Sequence, residues 1–334
     1  MAKSSNLRQL MMVIKPQIYI MLKIGGTRHA YAQIAKTTDD QLGFYDIWPL
    51  SPDPENIEFA APKTAIGNIY KARINKIDAK TQLAFLTLGT VDAVMPFKSK
   101  QVFTEGQYIL AEIISEAYAD KSLRLRFAGE VKADGNHKPS LQQAAENLAQ
   151  YCLKLATQNN SQITCDDFAF CAALKKQAAI NGVDITLNEI EFGKKHDQNL
   201  FEKYGLTEQI DELTQSQIKL KNGGNIIIEH TSAMTVVDVN SGSYQGSNMV
   251  ADINQQAAKK LFEQLKLRHI GGLVIVDFLK PKSKAERLSF AADLRDLAKS
   301  YKIEMGSYTA LGLAEFKIKR SGQQLSDKLL EFKL

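Results

Sequence analysis

The sequence predicts a mixed α+β and α/β fold, and three textures along the chain predict it. Residues 66–127 carry short strands broken by turns, residues 128–198 read as mostly helical, and residues 199–334 alternate strands with helices. Residues 1–65 form a further strand-bearing piece ahead of them.

The first piece opens on an apolar stretch, Leu10 to Leu22, interrupted by Lys15, Pro16 and Gln17. It is too short and too broken to span a bilayer, and no small-residue cleavage pattern follows it. It reads as a leader into a first strand. Residues 19–60 continue as short strands with turns at Ile24-Gly25-Gly26 and Ser51-Pro52-Asp53-Pro54.

From Ile66 the pattern is β: IGNIYKARINKID, a turn at Ala79-Lys80-Thr81, QLAFLTLG, then QYILAEIIS and SLRLRF. In the last of these Leu123, Leu125 and Phe127 alternate with Ser122, Arg124 and Arg126, the period of a half-buried strand. Strands this short over about 65 residues suggest a small barrel or sandwich.

Ser140 and Gln143 have the spacing of a capping box, which predicts a helix carrying Leu141, Ala145, Leu148, Cys152 and Leu155 on one face. Asp167 to Ile180 reads as a second helix, stopped at Asn181-Gly182. Beyond residue 199, IIIEH and MTVVDV read as a hairpin through Thr231-Ser232. Ile253, Ala257, Leu261 and Leu265 mark a helix ending before Gly271-Gly272. LVIVDF is a continuous apolar run, expected to be a strand covered on both faces. Ser283 and Glu286 form another capping box, heading a helix with Phe290, Leu294, Leu297 and Tyr301 in line. A strand–helix–strand unit of this length implies parallel strands.

Hydrophobic residues at 44% and charged residues at 24% exclude disorder, collagen and coiled coil as whole-chain answers. The net charge of +5 is modest, but it is not evenly spread: residues 259–320 hold 14 Lys or Arg against 7 Asp or Glu. That field suits a phosphate-bearing ligand; a solvated helix surface is the other reading. Three cysteines, Cys152, Cys165 and Cys171, form no CxxC, which suggests a reduced, cytoplasmic protein.

Two strands end in acids. Asp238 and Asn240 are two apart and share a strand face, and the crossover can bring Asp277 beside them. Two carboxylates and an amide oxygen at a sheet rim suit Mg²⁺, which keeps several waters and takes one or two carboxylates. The alternative is that Asp238 caps a turn at Asn240-Ser241-Gly242 while Asp277 pairs with a nearby Lys.

DVNSGSYQG, followed by a helix, KLRHIGGLVIVDFL and a basic helix, resembles the catalytic domain of the bacterial ribonuclease E/G family. LFEKYGLTEQI and GGNIIIEHTSAMTVVDVNSG resemble the segment leading into that site, and GNIYKARINKID, LAFLTLG and EGQYILAEI resemble the family's S1 domain. The likeness is strong over 200–320, fair over 66–127 and weak over 130–195.

The resemblance implies a ribonuclease H-like catalytic core, built from 1–65 and 199–334, with an inserted S1-like OB-fold barrel at 66–127. Residues 128–198 then stand in the place of the family's 5′ sensor. It implies a Mg²⁺-dependent endoribonuclease that cleaves single-stranded RNA to 5′-phosphate and 3′-hydroxyl ends in RNA processing or decay. Asp238, Asn240 and Asp277 match the catalytic set, with Asp238 and Asp277 as metal ligands. Phe85 matches a stacking aromatic, although core packing is an equal reading of it from the sequence, and the second aromatic position falls at Val94. Lys121 matches a basic RNA contact, and Arg268, Lys280 and Lys282 are basic residues near the site.

The chain departs from the family pattern. No cysteine lies where the zinc-binding segment would be, so no zinc is expected and any homodimer would lack a zinc link. The Arg-Thr motif of the 5′ sensor has no counterpart in 130–195. Lys280 and Gln256 stand where acids are usual, Ser243 where Arg is common, and His269, read as a packing or surface residue, where Asp is usual. These changes keep two alternatives open: a catalytically weakened RNA-binding protein, or a nuclease of another substrate such as structured RNA.

Overall fold

The computed structural model describes residues 16–23, 31–50, 63–117, 122–131, 138–190, 199–221, 223–244, 246–320 and 322–332. The turns expected at 24–26 and 51–54 and the first part of the apolar stretch, 10–15, lie outside these.

The chain opens with three antiparallel strands, β1 (Gln17–Lys23), β2 (Tyr31–Thr38) and β3 (Gln41–Pro49). Asp39 and Asp40 join β2 to β3 with φ of 50° and 59°, the left-handed pair that a two-residue hairpin turn needs.

Strands β4 (Ile69–Asp78), β5 (Leu83–Thr87), β6 (Asp92–Pro96), β7 (Tyr108–Ser115) and β8 (Leu123–Glu130) close into an OB-like barrel, in the order β4-β5-β6-β8-β7 and back to β4. Alternate residues fill it: Ile74, Leu86, Met95, Ile113, Leu123 and Leu125 are buried inside. β9 (Ser140–Gln143) then pairs with β4. The helix start expected at Ser140 is therefore a strand. A free edge of β4 recruits these residues, and the capping box sits at Asn147 and Gln150 instead.

α1 (Leu148–Asn159), β10 (Gln162–Cys165), α2 (Phe168–Asn181) and β11 (Leu187–Glu189) follow. Asp167 caps α2 and left-handed Gly182 ends it, as its sequence signals predict. β10 adds to β1 in parallel and β11 adds to β10, giving one sheet of order β3-β2-β1-β10-β11. Within the expected helical region 128–198, α1 and α2 are helices, and β10 and β11 add to the N-terminal sheet. The apolar run of β1 explains this, because it feeds two cores. Ile18 and Ile20 pack with Leu148, Cys152 and Leu174 of α1 and α2, while Tyr19 and Met21 pack with Leu200, Phe201 and Leu325 from the C-terminal part.

The C-terminal part holds α3 (Leu200–Lys203), α4 (Thr207–Asp211), a 3₁₀ turn at Glu212–Thr214, β12 (Gln217–Lys219), β13 (Asn225–His230), β14 (Met234–Asn240), α5 (Met249–Leu267), β15 (Gly272–Asp277), α6 (Lys284–Ser300), β16 (Glu304–Tyr308), β17 (Ala314–Ile318) and α7 (Leu325–Phe332). Its six strands form their own sheet, β12-β13-β14-β15-β17-β16, with β14 and β15 parallel across α5. Among the described residues the two sheets share no strand, and β1 to β3 lie in one while β12 to β17 lie in the other.

One face of this second sheet is buried: Val237, Val239, Val274 and Val276 pack against Ile253, Leu261 and Phe262 of α5 and Leu294 of α6. The other is open, with Val236 and Leu273 exposed at 40% and 50%. The run LVIVDF is accordingly covered on one face, not both: α5 and α6 lie on the same side.

Candidate functional site

The buried valines of the second sheet aim its polar residues. Val237 and Val239 are held in the core, so the period-2 alternation turns Asp238 and Asn240 to the open face; Val276 does the same for Asp277. Strand register completes the group. Asp238 pairs with Asp277 across β14 and β15, and Asn240 pairs with Asn225 across β13 and β14. Neighbouring strands lie about 4.8 Å apart, so the two carboxylates leave the sheet side by side. Asn240 Nδ2 donates to Asp238 Oδ2 at 2.8 Å and reaches Asn225 Oδ1 at 3.5 Å. Both carboxylates are exposed, and neither joins an ion pair among the described residues. Among the described residues Asp238 caps no turn and Asp277 pairs with no Lys.

The loops around the group are tightly held. Gly242, at φ 54°, passes so close to the Gly223 carbonyl that a Cβ would lie 2.1 Å from it. Only glycine fits, and Ser243 N–H donates to that carbonyl at 3.3 Å. Tyr244 Oη donates to Asp252 Oδ2 of α5 at 2.5 Å. After β15, buried Asn254 of α5 clamps the chain from both sides, donating to the Leu279 carbonyl at 2.7 Å and accepting from its N–H at 3.0 Å. This fixes the short loop that carries exposed Lys280 and Lys282 beyond Asp277. Asn225 and Asn254 were not legible as site-supporting residues: one is placed by hairpin register, the other by a helix–loop contact 25 residues apart.

Arg268 is not part of this surface. It caps α5 and is buried, with its Nε donating to Gln264 Oε1 at 2.7 Å and its Nη2 to the Glu212 carbonyl at 3.0 Å. Burial lowers its pKa to about 10 against the pull of Glu212. His269 is a packing residue: its Nε2–H donates to the Tyr45 carbonyl of β3 at 3.0 Å, and burial holds its pKa down.

On the barrel, Phe85 points outward and is 39% exposed. Register sets Lys76, Phe85, Val94 and Arg124 in one row across β4, β5, β6 and β8. An aromatic with a cation at either end of its row is the arrangement that stacks a base and holds backbone phosphates. Lys121 lies outside the described residues.

No group of three or more His, Cys, Asp or Glu converges on a metal position among the described residues. Two carboxylates with amide neighbours are nevertheless the donor set of a hard cation that keeps most of its waters. No helix among them is long and apolar enough to cross a membrane.

The model of the Ribonuclease E/G family matches residues 112–321, which include the whole Asp238, Asn240 and Asp277 group. The chain belongs to this ribonuclease E/G family. Ribonuclease G of Haemophilus influenzae is 23% identical over 376 aligned positions, covering 83% of this chain and 77% of that protein. Ribonuclease E of Synechocystis sp. is 37% identical over 133 residues, 38% of this chain and 20% of its own length. Ribonuclease G of Escherichia coli is 31% identical over 138 residues, 40% of this chain and 28% of its own. Against the last two, the chain spans under a third of the relative.

Proposed function

We propose that this ribonuclease E/G family member is an endoribonuclease that cleaves single-stranded RNA with Mg²⁺, leaving 5′-phosphate and 3′-hydroxyl ends, in RNA processing or decay. The observation that carries the reading is the pairing of Asp238 with Asp277 on an open sheet face, with Asn240 bonded to Asp238. The names of the relatives, ribonuclease G and ribonuclease E, support the reaction class.

Asp238 and Asp277 would hold the cation. When bound, it supplies positive charge at the scissile phosphate and makes water a better nucleophile at neutral pH. The rest falls to the chain. Asn240 uses its amide N–H to keep the Asp238 carboxylate turned to the open face. Lys280 and Lys282, on the loop clamped by Asn254, attract the RNA backbone and offset charge that builds on the phosphate during attack. The row Lys76, Phe85 and Arg124 holds an unpaired stretch of the same strand by stacking and charge, and Lys121, by the resemblance, adds to it.

The ribonuclease H-like part of the resemblance belongs, in this reading, to the first sheet and not to the sheet of Asp238. What supports this is its make-up: three antiparallel strands, then α1, β10, α2 and β11 added in parallel beside β1. The chemistry is then carried by a second sheet with its own core.

The test is cleavage of an internally labelled single-stranded RNA, with Mg²⁺ or with chelator, by the wild type, Asp238→Asn and Asp277→Asn. Loss of cleavage with chelator and in both variants supports the reading. Equal cleavage by all three proteins overturns it. Salt-sensitive RNA binding without Mg²⁺-dependent turnover in the wild type would replace it with the weakened, RNA-binding alternative.

A further inference from the structure

On the open face of the second sheet, the row next to Asp238 and Asp277 has a composition that the carboxylate pair does not explain. Register runs it Glu229, Val236, Ile275, Glu315 across β13, β14, β15 and β17. Two aliphatic residues stand in the middle, with an acid at each end. Val236 precedes Asp238 by two residues and Ile275 precedes Asp277 by two, so the four share one face, with the two rows roughly 7 Å apart along the strands. Ile227, beside Asp238, and Met234 and Leu273, in the row beyond, extend the aliphatic surface. Alternation sends Ile226, Ile228, Val237, Val274 and Val276 into the core and leaves this second set facing water. A contiguous apolar patch that the fold leaves in water marks a contact surface.

The acids bound that surface. Neither Glu229 nor Glu315 joins an ion pair among the described residues. Glu315 Oε2 lies toward β16, where a Cβ on Gly306 would come within 3.3 Å of it, so the carboxylate stands outward of Ile275. The two acids are three strand spacings apart, roughly 14 Å. One unpaired base fits between them against the aliphatic floor. A base pair with both its backbones is wider, and it would press a second line of phosphates on a carboxylate, a like-charge contact that rejects the wrong partner.

We propose that this row seats one unpaired base beside the scissile phosphate, with Val236 and Ile275 as its floor and Glu229 and Glu315 as its walls. The sheet that carries Asp238 and Asp277 thereby selects single-stranded over paired RNA by itself, apart from the barrel. The proposal rests on the cleavage reading and adds to it the residues that set its strand selectivity.

In the test, a single abasic nucleotide is moved through the positions flanking the cleavage site of a labelled single-stranded RNA. Initial rates in Mg²⁺ are measured for the wild type, Val236→Ser, Val236→Ile and the double variant Glu229→Gln with Glu315→Gln. The wild type should lose about tenfold in rate at one abasic position, the worth of one seated base. Val236→Ser should cleave the intact RNA at that lowered rate and lose the contrast, while Val236→Ile should keep it. The double variant should raise the rate on the same RNA annealed to its complement about tenfold relative to the single strand, since the like-charge barrier is gone. That gain should shrink as added salt screens the carboxylates in the wild type. A flat abasic profile in the wild type, full contrast in Val236→Ser, or an unchanged duplex-to-single-strand ratio overturns the proposal and leaves the cleavage reading standing. No cleavage of any RNA by the wild type overturns both.

Discussion

Asp238 and Asp277 stand directly opposite one another on parallel strands, each at the C-terminal end of its strand and each turned away from the core by a buried valine before it. The pairing places two like charges side by side on a surface with no ion-pair partner for either among the described residues. Such an arrangement is repulsive alone and favourable around a cation.

Asp238→Asn and Asp277→Asn should each lower RNA cleavage by about 10³-fold or more, since charge stabilisation at a phosphate supplies several kcal/mol. Both side chains are exposed, so thermal unfolding should shift little. If either variant keeps wild-type turnover in Mg²⁺, the pair does not hold the catalytic ion. The readouts are initial rates on a labelled oligonucleotide and a melting curve.

Phe85→Ala should weaken RNA binding by about 1–3 kcal/mol, the usual worth of one stacking platform, with little loss of stability because the ring is on the barrel's outer face. Val94→Phe places a ring on the neighbouring position of the same row and should tighten binding. Fluorescence anisotropy with a single-stranded oligonucleotide measures both. Unchanged affinity in Phe85→Ala would remove the barrel row from the RNA path.

Arg268→Ala should act on folding rather than on RNA. It leaves Gln264 and the Glu212 carbonyl without their buried donor, costing about 1–3 kcal/mol in denaturant unfolding. RNA affinity per folded molecule should stay at the wild-type level. A selective loss of affinity with unaltered unfolding would contradict the buried placement.

Stability should fall as the solution is acidified below about pH 6.5. Burial depresses the pKa of His269, with Asp46 and the Tyr45 carbonyl pulling upward and Lys328 downward, and burial likewise depresses His230. The unfolded chain then takes up protons that the folded state resists, so the contribution is full above the unfolded value and is lost as pH drops toward the folded one. Glu116 works in the opposite sense, since burial raises its pKa and the folded state favours its proton. Melting curves from about pH 7.5 to about pH 5.5 should show the fall, and His269→Gln should flatten it. An equal slope in the variant would assign the fall to other groups.

The local signals in the chain determined the elements that depend on neighbours in sequence. The Asp167 cap and Gly182 stop delimit α2, the Ser283–Glu286 box starts α6, and the alternation in MTVVDVN turns Asp238 and Asn240 to one face. The acids at two strand ends were legible for the same reason, since period and charge are written residue by residue. Tertiary structure decided what depends on partners far along the chain. Ser140–Gln143 carries the letters of a helix start, yet the unfilled edge of β4 makes it a strand. Residues 128–198 read as mostly helical, and only the fold shows that β10 within them finds β1, almost 150 residues earlier, and adds to its sheet. Arg268 reads as one more cation in a basic segment, and only the 3₁₀ turn at Glu212 shows where its guanidinium is spent. Hydrogen-bond edges and buried faces are satisfied by whichever surface the whole fold brings to them, and that choice is not local to any motif.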